Sequence, residues 1–207
     1  MKAKIELRKT SLLNFFIIFF SLFFVLGNAQ VIKENDNDVD KPETVVPVDI
    51  YWDVKAYNKK EAKLLKIKAI DEEGNIFNVK AIQTSDETSI MNVKALVDGK
   101  KLSVKMLTKG EKDTFYPVKA IDEEGNILGI KAITEDGEIL NVKGFSRSGN
   151  IIHLRAITKD YRYFNIIAIS PDGKTNAVKG IKMMDDEVEG IINNVPFYAH
   201  IKAIKYY

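Results

Sequence analysis

The sequence contains no cysteine and only two histidines in 207 residues. Without cysteine there is no disulfide framework, thiolate nucleophile, Cys-ligated zinc or iron–sulfur cluster. Two histidines leave little material for a His-rich metal site. Excess charge is also lacking: 31 basic and 29 acidic residues give a formal +2, which speaks against a strongly basic nucleic-acid binder. No G-x-S-x-G, G-x-G-x-x-G or P-loop pattern occurs, so the familiar nucleophile-elbow and nucleotide-binding signatures are missing. No cofactor and no metal is predicted.

One long hydrophobic run is present, at the start. Lys2, Lys4, Arg8 and Lys9 precede an apolar stretch from Leu12 to Gly27, followed by Gly27-Asn28-Ala29-Gln30. Basic, apolar, then small is the order of a secretory signal peptide. The reading is a signal peptide over 1–29, cleaved after Ala29, and export to the periplasm, cell surface or extracellular space. The rival is an uncleaved anchor, which would be the chain's one link to a membrane. A spanning helix wants about 20 apolar residues, and this run is shorter and interrupted by Asn14 and Ser21. Residues 1–29 carry four cations and one anion, so the mature chain is +2 − 3 = −1.

Residues 30–48 read as an acidic disordered linker, with five acidic and two basic residues and no period. Asp36-Asn37-Asp38-Val39-Asp40 imitates the opening of a calcium loop, but Lys41 and Pro47 stand where such a loop needs Gly and Glu. A solvated spacer is the better reading.

Residues 49–207 are one repeat. The tetrad Val/Ile-Lys-Ala/Gly-hydrophobic recurs with its second position at Lys55, Lys68, Lys80, Lys94, Lys105, Lys119, Lys131, Lys143, Arg155, Ile167, Lys179, Glu189 and Lys202. Five successive intervals in the middle, from Lys119 to Lys179, are 12 residues, and self-similarity at a fixed period sets the architecture. Side chains alternate within each unit, as along a strand. Turns such as Asp71-Glu72-Glu73-Gly74 and Thr134-Glu135-Asp136-Gly137 end on a glycine suited to a left-handed residue. The expected fold is all-β: an antiparallel meander of about 12 short strands, rolled into a barrel or folded as a sandwich.

One face of this sheet is apolar in nearly every unit, for example Phe77/Val79/Ala81 and Ile152/Leu154/Ala156. The other carries the Lys column and, two residues earlier, a column that is mostly Asn-like: Asn78, Asn92, Ser103, Pro117, Gly129, Asn141, His153, Asn165, Ala177 and His200. Pairing Ile133 with Ile139 would set Lys131 opposite Asn141 and Lys143 opposite Gly129, so that Lys faces the small column rather than another Lys. Pro117 would mark an edge or a bulge. The V-K-A-I-x-x-x-G-x-I units resemble those of uncharacterised exported Bacteroidota proteins, to which no activity is attached; the resemblance implies fold and export only. The hairpins are also loosely similar to MORN repeats, but the fixed Gly and Tyr of that pattern are missing.

The residues predict a non-catalytic protein, with binding or envelope scaffolding as its function. His153 and His200 fall in the Asn-like column and have no third ligand at recognisable spacing. The candidate binding surface is the column Lys80, Lys94, Lys105, Lys119, Lys131, Lys143 and Arg155, with the aromatic group Tyr51, Trp52 and Tyr57. Rows of cations suit a polyanionic polysaccharide, and amphipathic rings suit sugars or another envelope protein. The rival is an enzyme acting on an extracellular polysaccharide or envelope component, with its site assembled across strands. A converging pocket with strongly shifted carboxylates or histidines would favour it.

Overall fold

The computed structural model describes residues 48–205. The signal segment and all of the linker except Val48 lie outside the described residues.

Thirteen strands form among the described residues: β1 (Ile50–Asn58), β2 (Lys63–Ile70), β3 (Ile76–Gln83), β4 (Ile90–Val97), β5 (Lys100–Leu107), β6 (Tyr116–Ile121), β7 (Ile127–Ile133), β8 (Ile139–Ser148), β9 (Ile151–Ile157), β10 (Tyr163–Ile169), β11 (Thr175–Ile181), β12 (Gly190–Ile192) and β13 (Val195–Ile204). They make one antiparallel meander sheet, as the period predicts. Twelve strands carry the repeat, and β12 is a three-residue hairpin partner of β13. Glu189, at a predicted repeat position, is not in a strand. Its buried carboxylate instead caps Met183 N–H (2.6 Å) and Met184 N–H (3.2 Å) and faces buried Lys182 at 3.8 Å.

Five turns share one hydrogen-bond pattern. In Thr134–Glu138, Thr134 N–H donates to Glu138 O (3.0 Å) and Gly137 N–H to Thr134 O (3.2 Å). The same pair of bonds closes 71–75, 122–126, 158–162 and 170–174. Position four of each turn has positive φ (+88° at Gly137), where glycine carries no Cβ penalty.

The sheet closes on itself, ring-like but not as an even barrel, because its strands fork. Each repeat strand has one long-ladder partner on one edge, and two partners sharing the other edge. The shared edges form four triads: β1–β2–β3, β4–β5–β13, β6–β7–β8 and β9–β10–β11. Six linking ladders then join β1–β10, β2–β7, β3–β4, β5–β6, β8–β9 and β11–β13. Each ladder connects a different pair of triads, which is the connectivity of four corners and six edges of a tetrahedron. Both edges of every repeat strand are thus occupied, so the repeat offers no open ladder to another chain.

The apolar face turns inward, where Val54, Ile67, Val79, Leu154 and Ile166 are all under 5% exposed. The third tetrad position is the tightest: its alanines, from Ala56 to Ala203, are 0% exposed. Three strands depart from Ala there, with Met106, Gly144 and Gly180. The departures fit one another: a Cβ on Gly144 or Gly180 would lie 2.5 or 2.8 Å from Met106 Cε.

Candidate functional site

The Lys column lies on the outer face, half-buried. The expected register holds in part within the triads: Lys131 faces Asn141 as expected, but Lys143 takes Pro117 rather than Gly129, and in β1–β2–β3 Lys55 faces Lys66. In β6–β7–β8, Lys119 faces Gly129, Lys131 faces Asn141 and Lys143 faces Pro117. In β4–β5–β13, Lys94 faces Ser103, Lys105 faces His200 and Lys202 faces Asn92. Lysines from three strands therefore surround each of these hubs. Along the linking ladders the register differs from expectation, and like faces like: Lys68–Lys131, Lys80–Lys94, Lys105–Lys119, Lys179–Lys202 and Lys143–Arg155. Lys143 pairs with Arg155 and Pro117 because the β7–β8 ladder ends at Lys131–Asn141, before Gly129.

Opposed like charges are unfavourable, and the structure answers in two ways. Several ammonium groups turn into the triad, where a neutral side chain accepts: Lys68 on Asn78, Lys94 on Ser103 (2.9 Å), Lys131 on Asn141 and Lys202 on Asn92. Proton affinity falls as well. Burial first, then neighbouring cations, holds Lys68, Lys94, Lys119 and Lys131 below the usual lysine range; Lys202 is lowered by burial alone. Lys105 is lowest, at about 8, from burial and then the charges of Lys202 and Lys94.

The four hubs have diverged. In β1–β2–β3 an internal anion occupies the hub: Asp53 pairs with Lys80 and, at 3.5 Å, with Lys55. The hydrogen bond from Lys80 is the main cause that holds its carboxyl below the usual range. In β4–β5–β13, Lys105 Nζ lies 2.6 Å from His200 Nδ1. A lysine donating there leaves the ring proton on Nε2, which faces Glu189 at 3.8 Å. The niche among these three strands is about 20 Å³, room for about one water. In β9–β10–β11, His153 Nδ1 meets Lys179 Nζ at 3.1 Å. In β6–β7–β8, Gly129 and Pro117 supply no acceptor side chain. Lys119 and Lys143 there make no hydrogen bond or ion pair with a described residue.

A model of a family of unknown function, DUF7486, matches residues 48–204. The chain belongs to that family. No curated protein and no solved structure matches it. The matched span covers all thirteen strands of the closed sheet.

The aromatic candidates separate. Trp52 is not a surface residue: it is 2% exposed in the core, with its Nε1–H donating to Gln83 Oε1 at 2.9 Å. Tyr51 is on the surface, with Lys101 Nζ 5.8 Å from its ring centre. Tyr57 stands across from Asn165 in the β1–β10 ladder. Arg155 is wedged between Phe145 and Tyr163, 5.5 and 5.1 Å from their ring centres. Lys179 and Lys202 complete hubs but stand outside the candidate set; their place in the same repeat column was the signal for them. Among the described residues no group of three or more His, Asp or Glu is placed to hold a metal.

Proposed function

We propose that the chain is an exported, non-catalytic binding protein whose lysine hubs engage acidic groups of a polyanionic polysaccharide. One observation carries the reading: Lys119 and Lys143 share a hub with Lys131, yet make no hydrogen bond or ion pair with a described residue, Glu72 acting on Lys119 only at longer range. Asp53 supports it from within, since a carboxylate at the corresponding hub is held by two lysines. The niche at β4–β5–β13 brings Lys105 to His200, with Glu189 behind the ring, and at about 20 Å³ it encloses no sugar; this supports binding over catalysis there. Ala29-Gln30 as the cleavage site supports export, and the −1 mature charge leaves the attraction local to the hubs rather than to the whole surface.

The test is binding of polygalacturonate to the mature chain across ionic strength. Affinity falling as salt rises, with a smaller salt slope in Lys119→Ala/Lys143→Ala, is expected. Binding that ignores salt, or no binding, overturns the reading.

A further inference from the structure

Tyr161 occupies the fourth position of the 158–162 turn, with its N–H donating to Thr158 O at 3.1 Å. The other four turns of this kind place glycine there. Tyr161 adopts the same left-handed backbone, with φ +62°, although an L side chain is disfavoured in that region. Its ring gains nothing from the core in exchange, being 76% exposed. A strained residue with an exposed ring, at a site where the repeat otherwise uses glycine, is an outlier from which function is properly inferred.

What surrounds it is a built cleft of about 790 Å³, within the range of small-molecule sites. Tyr57 on β1 and Tyr163 on β10 complete a set of three phenol rings. The two turns that form its walls are tied together: Arg162 Nη1 donates to Glu61 Oε2 at 3.1 Å, and its Nε donates to Asp160 at 2.7 Å. Asn58 Nδ2 holds the other Glu61 oxygen at 3.1 Å. Tyr163 is fixed from beneath by Arg155 and by the edge contact with Phe145, ring centres 5.6 Å apart. Of the three rings Tyr163 is the one held by such contacts, and the Asn165 amide lies among them.

We propose that the Tyr57–Tyr161–Tyr163 cleft is a sugar-binding subsite that takes a short oligosaccharide. Pyranose rings offer apolar C–H faces, which stack on phenol rings, and equatorial hydroxyls, which suit amide and carboxylate partners. Arg162 is paired with Glu61 and Asp160, while Lys59 and Lys60 also line the cleft, so the cleft offers ring faces and hydroxyl partners together with cations that suit an acidic sugar. This deepens the polysaccharide reading: the hubs attract the polymer by charge, and the cleft reads its sugar units.

The decisive variant is Tyr161→Gly, which restores the residue found in the sister turns. Its denaturation midpoint is expected to equal or exceed that of the parent, because backbone strain is relieved. Binding of neutral probes (cellohexaose, mannohexaose, chitohexaose, xylohexaose) and of tri-galacturonate is followed by calorimetry and NMR. At least one probe is expected to bind the parent and to weaken roughly tenfold in Tyr161→Gly, the loss set by one stacked ring. Tyr163→Phe tests the hydroxyl separately, with its packing kept. Lys119→Ala/Lys143→Ala is expected to leave binding of neutral probes unchanged. The cleft assignment is overturned if no probe binds the parent, or if Tyr161→Gly binds as well as the parent. Salt-dependent polygalacturonate binding that persists in Tyr161→Gly while all hexasaccharides fail would sink the cleft and leave the hub reading standing.

Discussion

Met106→Ala tests whether the inner shell of the sheet is one packed unit or a set of separate sites. Met106 is 0% exposed, and truncation removes its Cγ, Sδ and Cε from a closed core. Such a deletion costs about 2–5 kcal/mol, the transfer term plus the residual cavity. Gly144→Ala alone should also destabilise, by about 1–3 kcal/mol, since the new methyl would sit 2.5 Å from Met106 Cε and 2.8 Å from its Sδ. Gly180→Ala meets Met106 Cε at 2.8 Å and Ile152 Cβ at 3.2 Å, with a similar cost. Independent sites would make the triple variant several kcal/mol worse than Met106→Ala. The structure argues the reverse. Each added methyl enters space that the methionine vacates, and each Gly→Ala in a strand recovers about 0.5–1 kcal/mol of backbone entropy. The triple variant, which restores alanine at all three positions, is expected to be more stable than Met106→Ala, with coupling of about 2–3 kcal/mol. Urea melts at constant m-value measure it, and about 1 kcal/mol should move the thermal midpoint by about 2–4 °C in a chain of this size. Costs that simply add to within about 0.5 kcal/mol would refute the compensation.

Three further outcomes follow from the outer face and the buried pair. Lys105 holds a pKa near 8, against 10.5 for an ordinary lysine; the unfolded chain therefore binds the extra proton between these values, and stability should rise with pH across that window. Denaturation midpoints over that range check this, and a slope unchanged in Lys105→Met would count against it. Asp53→Asn frees Lys55 and Lys80; because the Asp53 side chain is 49% exposed, the stability loss should not exceed about 1 kcal/mol, while affinity for polygalacturonate rises. Lys182 and Glu189 are 0% and 1% exposed, so Lys182→Met alone should cost about 3–5 kcal/mol by stranding a carboxylate. Adding Glu189→Gln should recover much of that in a urea melt.

The strands and turns were legible because the repeat states them locally. Alternation assigns Val79 and Ala81 inward and Lys80 outward without knowledge of any partner, and glycine marks the left-handed place in four of five equivalent turns. The forked pairing was not legible, since it depends on which distant strands share an edge. Part of it was nevertheless written in the spacing. The intervals Lys80–Lys94 and Lys105–Lys119 are 14 residues rather than 12, and both hairpins set Lys opposite Lys. Two extra residues move a lysine from facing the small column to facing its own kind. Lys143–Arg155 reaches the same pairing at an interval of 12 only because β8–β9 shifts register between Gly144 and Arg147, which no regular count would anticipate. Trp52 was misplaced because its neighbours are polar or aromatic; in fact it takes the inward side in step with Val54 and Ala56.

In a fold built from equivalent units, what repeats belongs to the architecture, and function is to be sought where the units disagree. The Lys column by itself is architectural: its stems cover the outer face and its heads reach acceptors in the triads. The informative positions are the ones that break the pattern. Asp53 places an anion where four sister strands carry Asn, and fills one hub. Gly129 and Pro117 supply no acceptor to another, where Lys119 and Lys143 make no hydrogen bond or ion pair with a described residue. Tyr161 replaces a glycine at the expense of backbone strain. Two of these departures fall in the proposed binding surfaces, and the third shows a hub occupied by an anion. A merely structural drift would have no reason to pair lost acceptors with retained lysines, or to put a bulky exposed ring at a left-handed turn position that its four sister turns give to glycine. Reverting the unpaired departures to their repeat consensus (Gly129→Asn, Tyr161→Gly) should therefore preserve or raise stability, and Asp53→Asn should cost no more than about 1 kcal/mol, while all three change ligand binding. A variant set in which stability and binding moved together would show the departures to be packing adjustments instead.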